Sequence, residues 1–501
     1  MKKLGVFGMV VFLLLASASI SFGMEVQAKG YWWIEGVMRN GWDFLGKGAA
    51  TSEDKTINIE QKLRTQFHFI ANENLRGVLD TQIGTTNWGN GMLAVGSGRS
   101  ISTAAYTLGA NQAGNGNIML RQGYVEYKWP NTLVNIKVGF QTLTLPAAFG
   151  GGSAILDDQI AAAVVSAPLT DNISLLAGYA RPYDGNPSQT STGTGLTGSG
   201  TATDVVFAAL PVTLKGATII PFAAYANAGA KTLSGNGAGT SAGFAGPNSS
   251  AGEGIRAYWG GVAATVTALD NFKFMSDFNY GKATFNNNAA TDRKGGRQGF
   301  LFDAAVDYTG FSMLTPEAFF TYSSGENGNS SQGGTSERMP VLGTPQNWTV
   351  GSFFFGERLE LSGSINTTAG YTSNTLGYWA AGVTLKNITL LDKFSHDFTV
   401  LYARGTNDKD YIKELNNGGV SNVRNANYAG FLTTKDSLWE VDFNTRYKIY
   451  DELTLLVYTG YIRADFDKDV WGASSLSNAA DIRQYSKSDA YKLGVGLNYF
   501  F

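Results

Sequence analysis

Residues 491–501 read YKLGVGLNYFF. Tyr491, Leu493, Val495, Leu497, Tyr499 and Phe501 take every second position; Lys492, Gly494, Gly496, Asn498 and Phe500 fill the others. Successive side chains of a strand point to opposite faces, so this segment predicts a strand with one apolar, aromatic-ended face and one polar or small face.

The same period runs back through the chain. Ile57, Ile59, Leu63, Phe67 and Phe69 alternate with Asn58, Glu60, Lys62, Arg64, Gln66 and His68. Leu75, Leu79 and Ile83 share one face, opposite Arg76, Asp80 and Gln82; Trp439, Val441 and Phe443 stand opposite Glu440, Asp442 and Asn444. Two kinds of connector separate the strands. Short ones carry turn residues, as at Asn72-Glu73-Asn74, Pro130-Asn131-Thr132 and Leu269-Asp270-Asn271. Long ones, at 87–116, 184–203, 228–253, 323–346 and 406–434, are rich in Gly, Ser, Asn and Thr. In hydrocarbon every backbone polar group must be bonded internally, so an apolar-faced sheet has to close. The expected fold is therefore all-β: one transmembrane antiparallel β-barrel of 16–18 strands over residues 24–501, with short periplasmic turns and long extracellular loops. The segment 346–371 is either a further hairpin or loop. The barrel's lipid face is expected to be apolar and its lumen polar, with Tyr31-Trp32-Trp33, Tyr258-Trp259 and Tyr378-Trp379 in interfacial aromatic girdles.

Composition excludes other classes. Gly is 63 of 501 residues and charged residues are 16%, against a usual ~25% charged. The near-balance of 38 bases and 40 acids gives no reason to expect nucleic acid. With no Cys and two His, thiol chemistry, Cys-ligated metals and most His sites are excluded, and no cofactor or enzyme activity is expected. Lys2 and Lys3, the apolar run 4–15 and the small residues Ala16, Ser17, Ala18, Ser19, Ser21 and Gly23 read as a signal peptide over 1–23. Asp465, Asp467 and Asp469 begin like a calcium loop, but Val470 and Leu476 occupy positions that an EF-hand gives to Gly and Glu. No metal site is expected; a weak divalent-cation site there stays open.

An aromatic residue closing an amphipathic last strand resembles the assembly signal of outer-membrane barrels, carried by Tyr491, Leu493, Val495, Leu497, Tyr499 and Phe501. The blocks Ala28-Lys29-Gly30, Gln61-Lys62-Leu63-Arg64-Thr65-Gln66-Phe67, Asn74-Leu75-Arg76-Gly77, Trp88-Gly89-Asn90-Gly91, Trp129-Pro130-Asn131-Thr132, Ile155-Leu156-Asp157-Asp158 and Ala180-Arg181-Pro182-Tyr183 resemble, in this order, the homotrimeric outer-membrane porins of sulfate-reducing bacteria. The resemblance implies a Gram-negative outer-membrane homotrimer among lipid and lipopolysaccharide, passing small hydrophilic solutes and ions by passive diffusion. The loop 87–116 is the candidate latch between its copies. A substrate-selective channel for sugars or oligopeptides, and an adhesion or structural barrel, remain alternatives.

Within 142–159, Pro146-Ala147-Ala148-Phe149-Gly150-Gly151 is similar to the Pro-Glu-Phe-Gly-Gly of classical porins, whose third loop folds into the lumen. The expectation is an inward-folded constriction loop bearing Asp157 and Asp158. By parity, Lys62, Arg64, Arg76, Lys128 and Lys137 face it as pore-lining bases. Arg121 has lipid-facing parity unless a bulge at Gly123 shifts the register.

Overall fold

The computed structural model describes residues 24–41, 55–88, 118–184, 202–229, 254–285, 296–327, 335–342, 377–410, 412, 432–471 and 489–501. The segments 1–23 and 346–371 and most of the candidate latch lie outside them.

The strands are β1 (Glu25–Asn40), β2 (Lys55–Asn72), β3 (Leu75–Asn87), β4 (Ile118–Lys128), β5 (Asn135–Thr144), β6 (Asp157–Pro168), β7 (Ser174–Asp184), β8 (Ala202–Ala209), β9 (Val212–Leu214), β10 (Ala217–Ala228), β11 (Ile255–Val266), β12 (Phe272–Phe285), β13 (Arg297–Tyr308), β14 (Thr315–Ser323), β15 (Tyr378–Ile388), β16 (Phe394–Gly405), β17 (Ser437–Lys448), β18 (Leu453–Asp465) and β19 (Asp489–Phe500). Apart from β8 and β9, each pairs antiparallel with its sequence neighbours. β8 and β9 both pair with β10 and are two pieces of one wall strand, broken where Pro211 lacks an N–H. Among the described residues the wall therefore has 18 strands, the upper end of the sequence expectation, and it closes without any strand from 346–371.

Closure is made by β1 and β19, paired from Tyr31↔Phe500 to Asn40↔Tyr491. Gly30 and Phe501 then exchange backbone hydrogen bonds of 2.8 and 3.0 Å. Connectors at one end run two to six residues, such as 73–74 and 309–314; at the other they run from 286–296 up to 324–377. Tyr491, Leu493, Val495, Leu497 and Tyr499 are all exposed on the outside, while Lys492 is 2% exposed on the inside.

Alternation also corrects the girdle expectation. Neighbouring aromatics cannot share a face, so Trp32 and Tyr258 point outward while Trp33, Trp259 and Tyr378 are buried inside.

The seam carries a testable constraint. A Cβ at Gly30 would collide with the Arg64 carbonyl oxygen and lie 2.8 Å from the Phe501 ring, whereas one at Gly36 would meet only Ile59, at 3.7 Å. Gly30→Ala is expected to cost about 1–3 kcal/mol and to lower the folded fraction in a heat-modifiable gel shift. Gly36→Ala should run like the wild type; equal behaviour of the two would contradict the seam geometry.

Candidate functional site

The interior is built by the connector between β5 and β6. These strands reach Thr144 and Asp157, so the segment leaving the wall is 145–156, shorter than the expected 142–159. Its neck is closed by a 3.0 Å bond from Leu145 N–H to the Leu156 carbonyl, and Ser153 Oγ accepts from Ile155 N–H at 3.2 Å. Gly150 and Gly151 turn the tip with φ of 81° and 88°, a region that suits glycine.

The tip crosses to the far wall. Asp277 on β12 accepts hydrogen bonds from Ala148 N–H at 2.8 Å and Phe149 N–H at 2.8 Å. The Phe149 ring lies 6.3 Å from that of Phe319 on β14. Asp303 of β13 stands directly opposite Asp277 in the ladder, and both are buried.

A second connector joins it. Residues 335–342 lie against the inner wall, where Trp259 donates to the Pro340 carbonyl at 2.7 Å and Gln298 N–H to the Ser336 carbonyl at 2.8 Å. Leu342 N–H donates to the Ile155 carbonyl at 2.7 Å, tying the two segments together. Leu145, Ile155, Leu156, Met339, Val341 and Leu342 pack with Ile160, Val205, Phe207, Phe222, Ala226, Ala257 and Trp259 into one apolar core. The expectation of a polar lumen is therefore overturned along β6–β11. Their inward faces are apolar because segments of the chain, not water, cover them.

The rest of the inner wall holds most of the charge, with a smaller apolar cluster of Trp33, Val37, Leu456 and Tyr458 on β1 and β18. Along β19 and β1–β5, Lys492, Arg39, Lys62, Arg64, Arg76, Arg121, Lys128 and Lys137 outnumber Glu35, Glu60, Asp80 and Glu126. Along β12–β17, Asp277, Asp303, Asp307, Glu317, Asp397, Glu440 and Asp442 outnumber Lys273, Arg297, Lys386 and Arg446. Directly opposed ladder partners link the two regions in a row: Asp307, Glu317, Thr384, Thr399, Asp442, Gly460, Lys492, Arg39. The row begins one residue from the short-turn end of β13 and finishes one residue from the long-loop end of β1. Acids stand at its lower end and bases at its upper end.

The expected bases all have inward parity, in different settings. Lys62 is 1% exposed, and it and Arg64 each lie 5.6 Å from the Tyr31 ring centroid. Arg64 Nε donates to Gln82 Oε1 at 2.7 Å. Arg76 pairs with Glu126 at 2.6 Å near the short turns, and Lys137 sits 4.2 Å over the Tyr124 ring. Lys128 ends β4 at the short-turn mouth. The bulge falls between Asp80 and Thr81 of β3, opposite Arg121 rather than Gly123, and brings Arg121 within 3.5 Å of Asp80.

Asp157 and Asp158 separate. Both are on β6, not on the crossing segment. Asp158 is buried on the inward face; Asp157 has the outward parity of Val165 and receives a 2.8 Å hydrogen bond from Thr144. Alternation thus moves Asp157 away from the lumen. The acids that face the basic wall are those of β12–β17. Their signal was present as Asp277, Asp303 and Asp307 at odd positions of alternating strands, and in Glu440 and Asp442. Nothing local marks Asp277 as the residue that holds a loop 129 positions away.

No family model matches this chain, and no curated protein matches it. Among solved structures it is similar to OpdQ of Pseudomonas aeruginosa, at 12% identity and TM-score 0.49 over 95% of this chain and 98% of that one. The outer membrane protein OprD from Pseudomonas aeruginosa gives 11% and 0.48 over 95% and 94%. OccAB3 of Acinetobacter baumannii gives 10% and 0.48 over 95% and 99%. The barrel architecture stands on the strand pairing itself.

The anchor is testable. Asp277→Ala removes the acceptor of two tip amides, so the tip is expected to leave β12. Planar-bilayer recordings should then show larger, noisier open steps than the wild type. Unchanged steps would mean that Asp277 does not hold the constriction.

Proposed function

We propose that the protein is an outer-membrane porin of a Gram-negative bacterium, forming a water-filled channel for passive diffusion of small hydrophilic solutes and ions. The observation that carries this reading is the division of the interior. One side is sealed by an apolar core, and the other carries most of the inward charge around a smaller apolar patch of Trp33, Val37, Leu456 and Tyr458. Outside, a closed wall with exposed Val138, Phe140, Phe274, Phe278, Val383 and Leu497 suits hydrocarbon, where a sheet must have no free edge. Solutes pass between segment 145–156 and the walls of β14–β19 and β1–β4.

Acids on β12–β17 and bases on β19 and β1–β5 set a field across that passage. Low-dielectric walls strengthen each charge interaction. A dipolar solute then turns as it passes, which favours small polar molecules over apolar ones of equal size. The reading extends to a homotrimer, as the resemblance to the porins of sulfate-reducing bacteria implies. Native mass spectrometry in mild detergent is expected to give three chains, and a monomer would remove that part.

Reversal potentials across a salt gradient test the field. The pair Glu440→Gln and Asp442→Asn should shift permeability toward anions, and Arg64→Gln toward cations. Asp157→Asn, on the outward face of β6, should do little. Each shift should shrink with salt, because the Debye length falls from ~10 Å at 0.1 M to ~3 Å at 1 M. If no inward variant moves the potential at low salt, ions do not follow this wall. Swelling of protein-loaded liposomes in sugars of increasing size tests passage itself: rates that fall smoothly with size support diffusion, and saturation by one sugar favours a selective channel.

A further inference from the structure

We propose that the outward face of β10–β13 at the long-loop end binds the phosphate of an outer-leaflet glycolipid headgroup. The proposal rests on the outer-membrane reading above, which sets this end of the barrel in the outer leaflet.

Five polar side chains share that patch: Asn227, Arg256, Thr284, Lys282 and Gln298, all exposed. Two ladder rows place them. Asn227 opposes Arg256, which opposes Thr284; Tyr258 opposes Lys282, which opposes Gln298. Arg256 and Lys282 are therefore diagonal neighbours on adjacent strands, a relation that sets Cα atoms ~7–8 Å apart, within reach of long side chains. Two like charges so placed repel each other, and an anion between them removes the repulsion.

Among the described residues no acid supplies that anion. The nearest on this face, Asp204, opposes Asn227 but is held by Arg181 Nε at 2.8 Å and Tyr179 OH at 2.5 Å. Other outward bases at this end have protein partners: Arg463 pairs with Asp489 at 3.4 Å, and Arg404 donates to the Thr434 carbonyl at 2.7 Å. Arg256 and Lys282 have none among the described residues.

Depth identifies the ligand as lipid-borne. One step down from the two bases lie Tyr225, Tyr258, Tyr280 and Phe300, with the Tyr225 and Tyr258 rings 5.0 Å apart. Aromatics of this kind mark the edge of the hydrocarbon, so the bases stand where headgroup phosphates lie. Below them the outward positions are apolar except Ser276, whose hydroxyl donates to the Asp303 carbonyl, and at the short-turn end of the same strands they are Ile219, Val266, Phe272 and Tyr308. A ligand for this surface has a phosphate at the top and acyl chains beneath. Guanidinium and ammonium groups make charge-assisted bonds to phosphate oxygens, and the Asn227, Gln298 and Thr284 side chains add donors.

The test uses the purified full-length barrel in detergent. Binding of diphosphorylated lipid A is compared with that of its dephosphorylated form by native mass spectrometry. Wild type is expected to hold the phosphorylated lipid at least about tenfold more tightly. The pair Arg256→Gln and Lys282→Gln should abolish the difference, the exchange Arg256→Lys with Lys282→Arg should keep it, and Arg463→Gln should leave it unchanged. A heat-modifiable gel shift shows each variant folded. Equal binding by wild type and the Gln pair, or an equal loss in Arg463→Gln, overturns the site. Full competition by millimolar inorganic phosphate overturns its assignment to a lipid. Because these side chains face outward, the Gln pair should conduct as wild type does; failure of the pore reading would appear instead as a wild type that does not conduct.

Discussion

A backbone N–H or carbonyl left unpaired in hydrocarbon costs several kcal/mol, and nothing in the acyl chains can satisfy it. The pairing of β1 with β19 is where this chain meets that constraint, since without it both strands would present a whole edge to lipid. Closure then fixes the alternation: at every strand one residue set faces lipid and the next faces inward. The positions of Lys492, Glu35, Asp442 and Asp277 inside, and of Leu497, Phe278 and Trp439 outside, follow from the seam and the register together.

Closure alone leaves an interior too wide to discriminate between solutes. The chain narrows it by packing. Segments 145–156 and 335–342 cover the apolar inner faces of β6–β11, and Asp277 fixes the tip of the first on the opposite wall. An apolar core inside a barrel gives the constriction the rigidity of a protein interior. The passage proposed above runs along the charged side, with acids on β12–β17 and bases on β19 and β1–β5.

Much of this is legible in the residues. Strand order, the hairpin layout and the inward parity of Lys62, Arg64, Arg76 and Lys137 come from period 2, and Pro146 to Gly151 marks the crossing segment. The misreadings have one origin. Period 2 reports two faces but not what covers the inner one, so a lumen expected to be polar proves apolar at Ile160, Val205 and Ala226, where chain segments cover the wall. Asp157 and Asp158 drew attention by adjacency, yet adjacent strand residues point apart. Long-range partners such as Asp277 with Ala148, or Trp259 with Pro340, depend on how far a connector reaches across the barrel. No local pattern encodes that.

The central claim is that a water path survives beside the core. The direct measurement is wild-type protein in a planar bilayer under voltage, at a concentration giving single insertions. The account predicts discrete, ohmic open steps that persist at low voltage. Verified insertion of folded barrels with no conductance above the bare bilayer would contradict it, and would mean that the interior is sealed.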